Sequence, residues 1–346
     1  MLKSILLFCT IGAITLMGCN NRRGPNLSGI TVQLEVQRFE KDFFNIDTNQ
    51  LDNSLLRIAD KYPNFYFEFR DKVVGLADLD SLKRNDIIKK FIRDYNAIYD
   101  STTKFDKKIE PAANSIKKSL QYLKYYFPKY ELPKKLITFV GPIDAFAYGV
   151  IGGSGEIITQ DALCVGLQLH LGSDEEIYKS DMGQQLYPDY ISRKFSTDYI
   201  ASNCIKNIID DIYPFVQTDN TLLDLLIDHG KRMYLLDLFM PFEKEEIKIG
   251  YTASQLNAVK ENEGFIWNYI SENNLLYEKD YLRIRSFVTD GPMTSEFGMG
   301  SPGFISLFVG KQIVNAYMDK FPDTQLEELL NLDAKTILAS SKYRPK

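Results

Sequence analysis

The chain has 346 residues, 45% of them hydrophobic and 25% charged, with a formal net charge of −5. That is ordinary globular usage, with apolar material for one large core or two modest ones. A mildly acidic chain without a basic run is a poor partner for nucleic acid, and four cysteines are too few for a disulfide scaffold.

The N-terminus carries the sharpest signal. Lys3 precedes an apolar run over residues 5–16, too short for the ~20 residues that span a bilayer but suited to a signal-peptide core. Leu16-Met17-Gly18-Cys19 follows, the aliphatic–x–small–cysteine pattern of bacterial lipoprotein processing. Small Gly18 admits the peptidase, and the Cys19 thiol takes a diacylglyceryl group as a thioether. An ordinary signal peptide with an incidental cysteine is the plainer alternative. Residues 1–18 are thus a predicted signal peptide, 19–29 a polar lipidated tether and 30–346 a single globular domain. Two or three acyl chains anchor a protein where one is marginal, so retention at a membrane follows. No acidic cluster succeeds Cys19, which favours an outer-membrane anchor facing the periplasm.

Alternation over 30–36 predicts a half-buried strand, and 38–44 a helical turn. Helices are expected over 51–61, 86–99 and 112–127 from apolar residues at three- and four-residue spacing. Residues 135–140 have β-branched content and predict a strand. Two more strands, 156–159 and 163–169, are expected, joined by the turn Gly152-Gly-Ser-Gly155. Ser196 is a suitable N-cap for a helix to Tyr213, ended by Pro214. Helices over 222–239, 254–274 and 310–320 complete an α+β chain, mostly helical with a small central sheet. Cys164 and Cys204 could form a disulfide in an oxidising compartment, and two buried thiols fit equally well.

Chemistry is sparse. His170 and His229 are the only histidines, and neither belongs to His-Glu-x-x-His, whose helical spacing aims two imidazoles at one zinc. Both are expected to be structural; a dispersed site with carboxylates is the alternative. Gly298-x-Gly300-x-x-Gly303 lacks the preceding strand of a dinucleotide site and predicts only a loop before a helix. Gly152-Gly-Ser154-Gly155 lacks the strand–turn–helix frame of a nucleophile elbow. No catalytic residue, metal ligand or cofactor is assigned.

The 222–239 helix stands out. Asp228 and Arg232 make a favourable i,i+4 pair, ordinary for a solvated face. Gly230, however, costs about 1 kcal/mol relative to alanine inside a helix, which predicts a close neighbour. His229 and Asp237 interrupt an otherwise very apolar helix. Asp228, His229, Lys231, Tyr234 and Asp237 are therefore the candidate interaction residues.

Several motifs in order resemble the gliding-motility-associated lipoprotein GldB family of the Bacteroidetes. They are the Cys19 lipidation motif, Arg38-Phe39-Glu40, Gly166-Leu-Gln168 with Leu171-Gly172, and Tyr187-Pro-Asp-Tyr190. Further along stand Gly230-Lys231-x-x-Tyr234-x-x-Asp237 with Pro241, Pro292-Met-Thr-Ser-Glu296, Ser301-Pro-Gly303, and Gly310-x-x-Ile313-Val314-x-x-Tyr317-Met318. The resemblance implies a cell-envelope protein supporting gliding or the linked type IX secretion machinery, with envelope proteins as partners. The layout is also similar to a zincin-type peptidase without its metal motif: the helix from Ser196 to Pro214 has no histidine or glutamate, and His229-Gly230 stands where a ligand glutamate and glycine would be. A non-enzymatic binding scaffold is expected. The alternatives are a divergent peptidase or cell-wall hydrolase, and a surface lipoprotein capturing nutrients.

Overall fold

Strand β1, Glu35–Arg38, runs directly into helix α1, Phe39–Phe44, in a computed structural model that describes residues 25–147, 155–216 and 219–345. The signal peptide, Cys19 and Gly152–Ser154 lie outside the described residues. The strand expected over 30–36 is corrected by this start. Val32 is buried between exposed Thr31 and Gln33 as the alternation requires, but ladder pairing begins only at Glu35. Alternation reports which side is buried; it supplies no partner strand.

α1 sinks Phe39 and Phe43 into an aromatic cluster in which Tyr62 and Phe65 meet the Phe39 ring edge-on at 5.1 and 5.0 Å. α2, Leu51–Lys61, has the expected bounds. The helix expected over 86–99 is two: α3, Ser81–Asp94, and α4, Asn96–Thr102. α3 starts earlier because Asp80 accepts the Lys83 N–H at 3.0 Å. α5, Asp106–Tyr126, begins ahead of the expected residue 112 and runs through Pro111, which supplies no N–H for the Lys107 carbonyl.

The sheet follows: β2, Lys135–Phe139, β3, Glu156–Ile158, and β4, Ala162–Gly166. The order is β1-β2-β4-β3, with β1, β2 and β4 parallel and β3 antiparallel on the edge. β4 is wholly buried, as a parallel strand covered on both faces should be. The strand expected over 163–169 stops at Gly166 and becomes a 3-10 turn, Leu167–Leu169. The β3–β4 turn is Thr159–Asp161, closed by Thr159 N–H to the Ala162 carbonyl at 2.9 Å, because the glycine run precedes β3 rather than following it. Cys164 and Cys204 are buried free thiols.

Past the sheet the chain is helical: α6, Ile200–Ile212, α7, Leu222–Phe239, α8, Ala253–Glu261, α9, Glu263–Glu272, α10, Tyr281–Val288, α11, Ser306–Lys320, and α12, Ala334–Ser341. Ser196 does not cap α6 with its side chain, since a 3-10 turn, Thr197–Tyr199, intervenes; its carbonyl instead faces His170. The helix expected over 254–274 breaks at Asn262, whose side chain donates to the Ala258 carbonyl at 2.8 Å. α11 begins before Gly310, which lies inside it against Gly230 of α7. The class is the expected α+β, mostly helical around a small sheet. Among the described residues no helix is long and apolar enough to cross a membrane.

Candidate functional site

α6 buries Ile200, Cys204 and Ile208 and presents Asn203, Lys206, Asn207 and Asp210 on its other face. α7 adds Asp228, His229 and Arg232. Between them, the edge strand β3 and the loop before α11 lies a cleft of about 990 Å³, at the upper end of ligand-site volumes.

Nearly every charge in the cleft is matched. Arg232 donates to Asp228 at 2.8 Å and pairs with Asp210. Lys194 pairs with Asp290, and Lys279 with Asp219. Arg193 donates to the Gly250 carbonyl at 2.6 Å. Glu156 and His170 are both buried, with Oε1 and Nε2 2.6 Å apart. His170 Nδ1 lies 3.0 Å from the Ser196 carbonyl, which can only accept. Nδ1 therefore donates to that carbonyl, which turns Nε2 toward Glu156. His170 is thus held on both ring nitrogens within the cleft wall.

His229 is half-buried in the cleft wall, with Nδ1 2.8 Å from the Ser306 hydroxyl and its ring edge-on to Phe304 at 4.9 Å. Burial pushes its pKa down to about 4, partly opposed by Asp228, so it is neutral near pH 7. Phe304 holds a left-handed backbone at φ 58°, a conformation that costs a bulky residue energy. Its carbonyl is fixed by the Tyr251 hydroxyl at 2.9 Å.

Lys206 differs from these groups. Among the described residues its amine has no ion-pair or hydrogen-bond partner, while burial and nearby Lys194 push its pKa down to about 8. The ammonium is thus disfavoured in the fold. The cost is fully present below pH 8 and disappears as pH rises toward the ordinary 10.5. Lys206→Met should therefore stabilise the protein at pH 7 by about 1–3 kcal/mol, a gain that shrinks above pH 8. Urea midpoints at pH 7 and pH 10 check this; an equal gain at both, or none, would contradict it.

Of the five sequence candidates, Asp228 and His229 line the cleft. The other three do not. Lys231 is buried and caps the Leu330 and Leu332 carbonyls at 3.0 and 2.7 Å. Tyr234 is half-buried against the core. Asp237 lies in an ion-pair network with Lys248 and Lys311. Helical rotation separates them: residues 228, 229 and 232 share a face that 231, 234 and 237 do not. Sequence reasoning passed over Asn203, Lys206 and Asn207. Their spacing opposite the apolar stripe was visible, but such a stripe usually faces solvent.

α6 presents Asn203, Lys206 and Asn207 to the cleft and contains no histidine or glutamate. Among the described residues no three His, Cys, Asp or Glu side chains are disposed to share a metal ion.

A family model described as gliding motility protein GldB matches residues 20–345. No curated protein and no solved structure matches the chain.

Proposed function

The chain belongs to the gliding motility protein GldB family and is a membrane-anchored lipoprotein of the cell envelope; on that premise we propose that its folded part works by holding a partner protein or peptide in the α6–α7 cleft. The partner belongs to the gliding machinery or the linked type IX secretion machinery. The cleft's size and its charge-paired walls carry this reading. Such walls orient a ligand at little cost in reorganisation.

A photo-crosslinking residue at Tyr281, an exposed position on the cleft, tests it in living cells. One discrete envelope protein should be captured there, and none from Leu82, which is exposed on α3 and does not line the cleft. Equal capture from both positions, or none from Tyr281, rejects the reading.

The anchor is the second part of the proposal. Cys19 carries the lipid, and the polar residues after it let the domain reach machinery at the same membrane, facing the periplasm. Cys19→Ala should abolish fatty-acid labelling and move the protein from the membrane fraction to the soluble one. Labelling that persists in the variant would refute the assignment.

A further inference from the structure

We propose that the floor of the cleft is a subsite for a carboxylate, bound by Lys206 together with the side-chain amides of Asn203 and Asn207. This rests on the cleft being a ligand site and adds what kind of group it takes.

Charge balance leads there. The cleft is lined by five acidic residues, Glu156, Asp210, Asp219, Asp228 and Asp290, and by five lysines and arginines. Glu156 is engaged within the wall by His170 and Asn203, so the five basic groups share the four aspartates. The group without a partner is Lys206: the other basic side chains each hold a carboxylate or, for Arg193, a carbonyl. A half-buried ammonium has lost part of its hydration and gains from an anionic partner.

The neighbouring donors suit the same ligand. Asn207 lies one residue on from Lys206, and its amide bonds to no described residue. Asn203 lies one turn before; its amide reaches the two Glu156 oxygens only at 3.3 and 3.4 Å, long enough to yield to a better acceptor. One ammonium and two amides neutralise and hydrogen-bond a monoanion with two oxygens, which describes a carboxylate. A phosphate monoester carries nearly two charges at pH 7, more than one ammonium balances. Apolar walls from Leu169, Tyr187 and Leu307 leave room for the body of a short peptide. The carboxylate is then an acidic side chain or a C-terminus.

Acylation footprinting of the full-length lipoprotein in detergent micelles at pH 8 tests this. The rate at Lys206 is read by mass spectrometry against Lys83, which is well exposed on α3. Three probes are compared at equal ionic strength: N-acetyl-trialanine with a free C-terminus, its amide, and the amide of N-acetyl-Ala-Glu-Ala. A carboxylate-bearing probe should slow Lys206 by about threefold at twice its dissociation constant, with the neutral amide without effect. Which of the two acids protects identifies the source of the carboxylate. Protection by the neutral amide alone, or by none of the probes at millimolar concentration, overturns the subsite. That result is independent of crosslinking from Tyr281, so the subsite can fail while the cleft remains a partner site.

Discussion

Gly310→Ala should be among the most damaging single-methyl additions to this protein, lowering stability by about 3–5 kcal/mol. α7 and α11 cross where Gly230 and Gly310 meet backbone to backbone. A Cβ on Gly310 would stand 1.8 Å from the Leu226 carbonyl oxygen and 2.9 Å from the Gly230 nitrogen. A Cβ on Gly230 would stand 2.2 Å from the Gly310 carbonyl oxygen. No rotamer change relieves such contacts, because the obstructing atoms are main chain. The helices must separate, and the fully buried Leu226, Ile313 and Val314 around the crossing would lose packing with them. Alanine's helix preference returns only about 1 kcal/mol, so the clash dominates. Gly29→Ala is the control, since an added Cβ there meets nothing within 4 Å, and it should shift stability by no more than about 0.5 kcal/mol. Thermal melts of both variants decide the matter: a Gly310→Ala midpoint within about 2 °C of the parent would rule out the backbone contact.

The Gly230 contact shows how sequence could and could not be read here. A glycine inside an apolar helix had to have a reason, and the reason is Gly310; but nothing in the sequence named the partner, 80 positions away. The elements whose signal is local were legible. α2 and α7 have the expected bounds, α7 because Thr221 and Asp224 make a capping box with bonds of 2.9 and 3.2 Å. Features set by tertiary pairing were not. Residues 30–34 alternate like a strand yet lack a neighbour, and Asn262 interrupts one long helical pattern through its own side chain.

The cleft divides along the same line. His229 and Asp228 were conspicuous because polar groups in an apolar helix are conspicuous. Lys206 was hidden among ordinary polar positions of α6, and only the fact that each neighbouring basic group has a partner makes it unusual. Conversely, Lys231 and Asp237 attracted notice for the same reason as His229, and their role is to satisfy carbonyls and ammonium groups within the fold.

Asp237→Asn should consequently cost stability rather than binding. Lys311 lies 2.8 Å from Asp237 and 2.9 Å from Glu245, and Lys248 approaches the other Asp237 oxygen at 2.5 Å. Both lysine side chains are only 8% exposed. Burial alone would push the Lys311 pKa down, yet Asp237 and Glu245 outweigh it and hold it above 10.5. For Glu245, burial is likewise outweighed by Lys260 and Lys311, which hold it below 4.5. The raised lysine contributes stability that is present below 10.5 and lost as pH rises through its folded pKa; the depressed carboxylate contributes stability present above 4.5 and lost as pH falls. The network therefore operates across the neutral range. Removing the Asp237 charge leaves Lys311 with Glu245 alone and the buried Lys248 ammonium with only the Met240 carbonyl at 3.4 Å, a loss of about 2–4 kcal/mol. Replacing Asp237 and Lys248 together by leucine and methionine should recover much of it, because Lys311 keeps Glu245 and no buried ammonium is left without a carboxylate. Below its melting temperature, the Asp237→Asn protein should still crosslink from Tyr281 as the parent does. Unchanged stability combined with lost crosslinking would instead make Asp237 a contact residue for the partner.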